Sequence, residues 1–205
     1  MKNRFYILLA GLFLLTISVS AQSKKAAQIL EELTKTTNAY DNIKVSFAYK
    51  MTNEEADIDE STNGTLLVSG DKYHLNIAGQ EVITDGTTLW TYIPDSEEVQ
   101  VNEVSEDGGF SPSKLLSSYS DEYHAKKEKD ILRDGKYFYQ LKLKPKDKES
   151  SFDYVILIIN PDLMQLSDFI IHDFEGNIFT YELKQFITNS EISEDSFIFD
   201  SAKYP

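Results

Sequence analysis

The sequence predicts a mainly β protein of the α+β kind, in which a strongly curved antiparallel sheet wraps around one N-terminal helix. Three observations support this fold class. Short runs of alternating apolar and polar residues fill most of the chain after residue 40. Turn dipeptides such as Asp85-Gly86 and Asp134-Gly135 separate these runs, as in an antiparallel meander. One amphipathic segment precedes them, and its apolar stripe needs a surface to cover.

The first 21 residues predict a cleaved export signal. Lys2 and Arg4 precede an apolar run from Phe5 to Ile17, and small residues stand at Val19-Ser20-Ala21, where a signal peptidase would cut. We expect cleavage after Ala21 and a single mature domain, residues 22–205. The apolar run is shorter than the roughly 20 residues of a spanning helix, so we expect a soluble mature protein with no stable membrane insertion.

The mature chain begins with the helix. Apolar residues recur at helical spacing from Lys24 to Tyr40, with no internal Pro or Gly, which predicts an amphipathic helix. The next segment, Asn42 to Thr52, alternates apolar and polar residues and predicts a half-buried strand.

The remaining strands lie between turn signals. Asn63-Gly64 indicates a hairpin turn, and the acidic residues at Asp57 and Asp59 indicate a solvated turn. The run from Val155 to Ile159 is apolar at every position, so both of its faces should be covered. The predicted strands are Gly64–Ser69, Tyr73–Ala78, Glu81–Thr84, Thr88–Ile93, Val99–Val104, Lys136–Lys144, Phe152–Ile159, Leu163–His172, Ile178–Thr188 and Ser196–Phe199.

One segment interrupts the strands, from Glu106 to Lys129. Ser111-Pro112 resembles a helix N-cap followed by Pro at the first helical position, and Lys114 to Tyr119 continues a short helical pattern. The sequence leaves two interpretations open for this segment, an ordinary crossover and a mobile lid.

Composition excludes several classes of function. The chain has 20 basic and 34 acidic residues, a net charge of −14, so it lacks the basic stripe that nucleic-acid binding needs. It has no cysteine, which excludes disulfides and thiolate chemistry. His74, His124 and His172 lack metal-ligand spacing, and no nucleophile elbow or phosphate loop occurs. We therefore predict no catalytic residue, no metal and no cofactor.

Aromatic residues are abundant: 12 Tyr, 12 Phe and one Trp. Many occupy alternating strand positions. They could fill a core or line an apolar cavity, and composition does not separate these alternatives.

Three stretches of sequence, in order, carry a family resemblance. The first is Asn42–Phe47, the second is Gly64–Leu75 followed by Ile83–Pro94, and the third is the tail from Asp173 to Phe199. The second stretch ends with the most specific piece, Asp-Gly followed by Leu-Trp-x-Tyr and a Pro turn. Together they resemble the periplasmic outer-membrane lipoprotein carrier family, LolA.

The resemblance implies an incomplete antiparallel β-barrel whose hydrophobic concave face is closed by helices. It implies a monomeric periplasmic carrier, without enzymatic activity, that shields the acyl chains of lipoproteins on their way to the outer membrane. Its partners would be acylated lipoproteins and an inner-membrane lipoprotein-release complex as donor, with the outer-membrane acceptor undefined. The alternative is a sensor or binding module of the same fold for a hydrophobic peptide, lipid or partner protein.

On this interpretation the cavity and its lid are lined by apolar side chains, each of which could equally be plain core. The helix contributes Leu30 and Leu33, the strands contribute Phe47, Tyr49, Leu66, Val68, Tyr73, Leu75, Trp90 and Tyr92, and the lid contributes Phe110, Leu115, Leu116 and Tyr119.

The sequence departs from the family at one functional position. After the Gly-x-Leu-x-Val strand the family carries an Arg followed by Pro that holds the lid shut. Here the corresponding positions are Ser69 and Gly70. The family's Arg therefore has no counterpart at this place.

Overall fold

The computed structural model describes residues 22–104 and 123–203. Within them an α-helix over residues 22–38 is followed by twelve strands and three short 3-10 helices. The strands are β1 (Ile43–Asn53), β2 (Ile58–Ser69), β3 (Lys72–Ile77), β4 (Gln80–Thr84), β5 (Thr88–Ile93), β6 (Glu98–Glu103), β7 (Tyr123–Lys127), β8 (Ile131–Arg133), β9 (Lys136–Pro145), β10 (Phe152–Asn160), β11 (Gln165–Asp173) and β12 (Ile178–Thr188). The 3-10 helices are Pro94–Ser96, Glu194–Phe197 and Ser201–Lys203.

Neighbouring strands pair antiparallel in one sheet. Its order is β6-β5-β4-β3-β2-β1-β12-β11-β10-β9-β7, and β8 pairs with the first residues of β9. The pairing of β1 with β12 joins the two halves of the chain in the middle of the sheet. In the described part of the chain the terminal strands β6 and β7 do not pair with each other. The sheet is therefore an incomplete barrel, which confirms the predicted fold class.

The sheet curves around the helix. Tyr73 on β3 and Leu141 on β9 are six strand spacings apart, which would be about 29 Å in a flat sheet. A helix with its side chains is only about 10–12 Å wide. Both residues nevertheless belong to one buried apolar cluster together with Leu30 and Leu33 of the helix. The sheet must bend to bring such distant strands to the same helix. We call the side that carries the helix the concave face and the other side the convex face.

The end of the helix is tied to the end of β12 by Asn42. This buried amide donates to the Ser190 carbonyl (2.9 Å) and accepts from the Ser190 backbone N–H and hydroxyl (both 3.0 Å). The Asp41 N–H adds a bond to Asn189 Oδ1 at 2.8 Å. These bonds satisfy a buried amide and hold the helix against the middle of the sheet.

The apolar run in β10 is covered on both faces, as predicted, with Ile156 half-buried on the convex face. Val155, Leu157 and Ile159 are buried in the concave cluster beneath the helix. Ile158 is also buried and lies on the convex face, opposite Asp168 of β11. Asp168 is 4% exposed and forms a bidentate pair with Arg133, with N–O distances of 2.9 and 3.2 Å.

The predicted turn at Asn63-Gly64 is wrong. Both residues lie inside β2, which begins six residues earlier than predicted, at Ile58, and the turn between β1 and β2 spans residues 54–57. Asp59 also belongs to β2 rather than to a turn. Gly64 is required here by packing, because it pairs with Phe47 and leaves room for that ring.

Two other expectations in the C-terminal half are corrected. The sequence predicts an insert that extends to Lys129, but Tyr123–Lys127 is a strand that pairs with β9. No strand forms over the predicted Ser196–Phe199. Its first two residues belong to the 3-10 helix Glu194–Phe197, where the Ser193 side chain accepts a hydrogen bond from the Asp195 N–H. The signal at residues 1–21 and the helical lid with Phe110, Leu115, Leu116 and Tyr119 lie outside the described residues.

A side chain at Gly64 should destabilise the fold. A Cβ there would stand 2.3 Å from Phe47 Cζ and 2.8 Å from the Asn76 carbonyl oxygen, both impossible contacts. We expect Gly64→Ala to lower the free energy of unfolding by about 1–3 kcal/mol, the usual range for overpacking. Urea unfolding followed by circular dichroism measures this. The exposed neighbour provides the control, Thr65→Ala, and equal midpoints for the two variants would contradict the prediction.

Candidate functional site

The concave face has two regions that differ in burial. Beneath the helix, residues such as Leu141, Leu157 and Ile159 are fully buried and form a dry core. Other apolar side chains of this face pack against that core but are only half-buried. They include Tyr49, Leu75, Ile77, Val82, Tyr123, Phe152, Ile171, Tyr181 and Leu183.

Four rings lie where the buried core meets the half-buried region, and we call them the aromatic cluster: Phe47 and Phe169, which are buried, and Tyr49 and Tyr181, which are half-buried. Tyr181 contacts the other three, with ring centroids 5.7 Å from Phe47, 5.1 Å from Tyr49 and 6.2 Å from Phe169. The interplanar angles of 52–59° describe tilted rings rather than a flat stack. Strand pairing explains the arrangement, because Tyr49 and Tyr181 are direct partners across β1 and β12, and Phe169 is the partner of Tyr181 on β11.

Burial within the aromatic cluster raises the pKa values of its two phenols, Tyr49 and Tyr181. Burial, and to a lesser extent Tyr49, raises the pKa of Tyr181 from its ordinary 10.0 to about 12. Burial and the charge of Glu60 raise the pKa of Tyr49. Both phenols are therefore neutral at physiological pH, and the cluster presents apolar rings that carry hydroxyl groups.

Most of the predicted cavity residues lie on the concave side. Leu30 and Leu33 of the helix are buried against the sheet, as are Phe47, Leu66, Val68 and Tyr73. Tyr49 and Leu75 are half-buried on the same face.

Trp90 and Tyr92 lie on the convex face. Trp90 pairs with Ile83, which pairs with His74 and through it with Leu67, and these residues alternate with the concave positions. The C-terminal segment covers this part of the sheet. Phe199 stacks on Trp90 with ring centroids 6.1 Å apart, and the Ser196 carbonyl lies 3.2 Å from His74 Nδ1.

A pocket of about 430 Å³ lies between the C-terminal segment and the convex face. Leu67 and Ile83 form its apolar floor, and Glu81, Asp195 and Asp200 add acidic groups. It is separated from the concave face by the thickness of the sheet. It therefore adds nothing to the region of the aromatic cluster.

The sequence reasoning missed the contribution of the C-terminal strands. Phe169, Ile171 and Tyr181 lie on the concave face beside the predicted residues of β1 and β2. The alternation of Phe179, Tyr181 and Leu183 was the available signal. It identifies a face of β12 but not which strand lies next to it, and only the β1–β12 pairing brings Tyr181 to Tyr49.

The histidines do not form a catalytic arrangement with their described neighbours. His172 stacks on Tyr154 at 4.2 Å on the convex face, and burial together with Lys142 lowers its pKa. Asp173 instead accepts hydrogen bonds from the turn after it, from the backbone N–H groups of Glu175 and Asn177. Within residues 22–104 and 123–203, no three His, Cys, Asp or Glu side chains are grouped as metal ligands.

Ser69 and Gly70 stand at the positions where the family carries Arg followed by Pro, and they form local contacts only. The Ser69 hydroxyl donates to the Asp41 carbonyl oxygen at 3.0 Å, and Gly70 adopts a left-handed turn conformation with φ of 58°. Arg133 is engaged with Asp168 on the convex face.

No helix in the described part of the chain has the length and apolar character that crossing a membrane requires.

Ionisation of Tyr181 should couple to stability at high pH. Its pKa is raised in the folded protein, so between about pH 10 and 12 the folded state holds the proton more tightly than the unfolded chain. The contribution is complete below pH 10 and is lost as the pH rises through this range. We expect Tyr181→Phe to flatten the fall in the free energy of unfolding between pH 10 and 12. Urea unfolding at several pH values tests this, with the exposed Tyr137→Phe as a control that keeps the wild-type slope.

Trp90 fluorescence should report on the C-terminal segment. Trp90 is the only tryptophan, and Phe199 covers it. We expect Phe199→Ala to shift its emission to longer wavelength and to increase quenching by acrylamide. The exposed Phe174→Ala should change neither property. Identical spectra for wild type and Phe199→Ala would contradict this placement of Trp90.

Comparison with known proteins gives the family. The family model described as "Outer membrane lipoprotein carrier protein LolA" matches residues 38–200. An outer-membrane lipoprotein carrier protein of Methylobacillus flagellatus is 31% identical over 121 residues, 58% of this chain and 57% of that protein. One from Shewanella baltica is 26% identical over 209 aligned positions, 97% of this chain and 92% of that protein.

Solved structures share the fold. An uncharacterised conserved protein from Thermus thermophilus has a TM-score of 0.58 at 11% identity, covering 88% of this chain and 94% of that one. A DUF1329 family protein from Desulfovibrio piger has a TM-score of 0.52 at 11% identity, covering 90% and 99%. At such identities these likenesses show the fold alone. The match over residues 38–200 shows more: this chain belongs to the LolA family of outer-membrane lipoprotein carrier proteins.

Proposed function

We propose that this protein is an exported periplasmic carrier that binds the acyl chains of lipoproteins on its concave face and takes them towards the outer membrane. An inner-membrane lipoprotein-release complex would be its donor. Family membership supports the general role. The observation that carries the proposal is the half-buried apolar surface around the aromatic cluster, on the same face as the helix but outside the dry core.

Acyl chains supply enough free energy for such binding. Each buried methylene contributes about 0.8 kcal/mol, so a lipoprotein anchor cannot remain dissolved in water but enters an apolar surface readily. A surface with partly exposed rings gains this free energy without first opening a closed core. Carriage therefore needs no bond making or breaking, only burial and release.

The half-buried region suits acyl chains better than the helix-covered region does. Leu30 and Leu33 are packed against the sheet, and a ligand in their place would have to displace the helix. Around Tyr49, Tyr181 and Ile171 the apolar side chains already retain exposed surface. We place the acyl chains there, with the helix as the fixed wall of the site.

The tilted rings favour adaptable binding. Rings at 52–59° to one another leave an uneven surface rather than a slot fitted to one ligand shape. The hydroxyls of Tyr49 and Tyr181 interrupt the apolar surface, which moderates the affinity. A carrier benefits from this moderation because it must release its cargo.

Native mass spectrometry provides the direct experiment. The mature chain, residues 22–205, is mixed with a synthetic acylated lipopeptide and, separately, with the same peptide lacking its acyl chains. A one-to-one adduct with the acylated form alone supports the carrier. Adducts with both peptides, or with the bare peptide only, contradict it and favour a sensor or partner-binding module.

Two neighbouring isoleucines provide a matched pair of variants for this assay. Ile171 lies on the concave face next to the aromatic cluster, and Ile170 lies on the convex face of the same strand; both are half-buried. We expect Ile171→Asn to weaken lipopeptide binding at least tenfold, because it places an amide in the path of the acyl chain. Ile170→Asn should stay within twofold of wild type. Thermal melts of both variants check the fold, and equal weakening by the two folded variants would contradict the placement.

A further inference from the structure

The hairpin formed by β8 and β9 has its own turn at the edge of the sheet. Its turn residues Asp134 and Gly135 both have positive φ, 51° and 76°, as a two-residue type I′ turn requires. β8 lies off the main strand order and pairs with the first residues of β9. The tip of this hairpin therefore stands at the end of a short two-stranded ribbon.

Two large apolar side chains are exposed on this hairpin and face each other. Leu132 is 61% exposed and Tyr137 is 64% exposed, and they are direct cross-strand partners. On the other side of the ribbon, Arg133 reaches Asp168 and Phe138. One side of the ribbon is thus fixed to the protein, while the Leu132–Tyr137 side remains in water. This pair is a small exposed apolar patch and a candidate interaction surface.

The charge around the hairpin differs from that of the rest of the chain. Residues 123–149 carry nine basic and five acidic residues, a net charge of +4, whereas the whole chain has −14. Four of these basic residues form ion pairs, two of them with acids outside the stretch: Lys126 with Glu128, Lys127 with Asp130, Arg133 with Asp168 and Lys144 with Asp153. Lys129 and Lys136 are exposed and form no ion pair with a described residue. A partner that combines a negatively charged surface with an apolar interior would complement this hairpin.

We propose that the β8–β9 hairpin docks reversibly onto an anionic phospholipid surface. Leu132 and Tyr137 enter the headgroup layer, where an aromatic ring with a hydroxyl is well placed. Lys129 precedes the hairpin, and Lys136 stands beside the turn on the Arg133 side; their long, exposed side chains reach the lipid phosphates from the flanks of the Leu132–Tyr137 pair. The negative charge elsewhere on the chain opposes this contact weakly, because at physiological salt interactions between exposed charges are screened beyond about 8 Å.

The docked hairpin lies next to the concave face. Tyr137 is two residues before Tyr139, which packs on the concave side of β9 opposite Ile159. Contact with a bilayer through Tyr137 therefore brings the rim of the concave face to the lipid. The proposal goes beyond cargo binding and is tested without cargo, so its failure is distinct from failure of the carrier function.

Sedimentation with vesicles tests the proposal. The mature chain is mixed at about 150 mM salt, where the negative charge elsewhere on the chain is screened beyond about 8 Å, with vesicles of phosphatidylcholine containing roughly 30% phosphatidylglycerol, and with vesicles of phosphatidylcholine alone. We expect binding to the anionic vesicles and at least fivefold less binding by Leu132→Ser/Tyr137→Ser or by Lys129→Gln/Lys136→Gln. The matched controls are Leu163→Ser/Phe174→Ser, which removes two other exposed apolar residues, and Lys24→Gln/Lys25→Gln, which removes the same charge.

Both controls should remain within twofold of wild type. Absence of wild-type binding to the anionic vesicles would overturn the proposal. Equal loss in the hairpin variants and their controls would overturn it as well, because the contact would then be unspecific.

A fluorescence measurement shows which part of the protein meets the lipid. Tryptophan is placed at the tip by Tyr137→Trp in a Trp90→Phe background, and at a distant turn by Phe174→Trp in the same background. Anionic vesicles should shift the emission to shorter wavelength only for the hairpin tryptophan. A shift at position 174 alone, or at neither position, would contradict docking through the hairpin.

Discussion

Burial of the helix inside the curved sheet is the interaction on which the rest of the structure depends. The apolar stripe of the helix, with Leu30 and Leu33, meets side chains from strands as distant as β3 and β9. One helix cannot cover the whole inner surface of so wide a sheet, because a helix with its side chains is only as wide as two or three strand spacings. The surplus concave surface remains half-buried. Tyr49 and Tyr181 of the aromatic cluster lie on this uncovered surface, so the site exists because one helix is too narrow to cover a large sheet.

The two faces of the sheet are stabilised differently. The concave face relies on apolar burial, whereas the convex face combines polar and aromatic contacts. On the convex face Arg133 forms a bidentate pair with Asp168, and Phe199 covers Trp90. This division leaves the aromatic cluster, whose two phenols are neutral at physiological pH, without a charge of its own that a lipid ligand would have to desolvate. It also puts these convex contacts on the opposite side of the sheet from the proposed lipid site.

Much of the fold could be predicted from the sequence, because a period of two with turn residues between the runs specifies antiparallel strands. The helix, β1 and the apolar strand β10 follow directly from their patterns. The turn predicted at Asn63-Gly64 is wrong because the same dipeptide is found both in hairpin turns and at strand positions where a glycine leaves room for a large neighbour, here Phe47. For the site, alternation gives the two faces of a strand but not which is concave. In β5 every residue is half-buried, and large apolar side chains occur on both faces, with Leu89 on one and Trp90 and Tyr92 on the other. The sequence of this strand therefore did not indicate which face is concave.

The pairing of β1 with β12 has a consequence for how the chain reaches its folded form. The partners of β1 on β12 lie 126 to 145 residues further along the chain, from Thr52 with Ile178 to Ile43 with Thr188, so the middle of the sheet cannot assemble until nearly the whole polypeptide is available to fold. Contacts between such remote segments make folding slow. During that interval one edge of β1, with Val45 and Phe47, lacks its neighbour and invites pairing with other chains. A newly made molecule of this protein is therefore most vulnerable to aggregation just before its last long strand is in place.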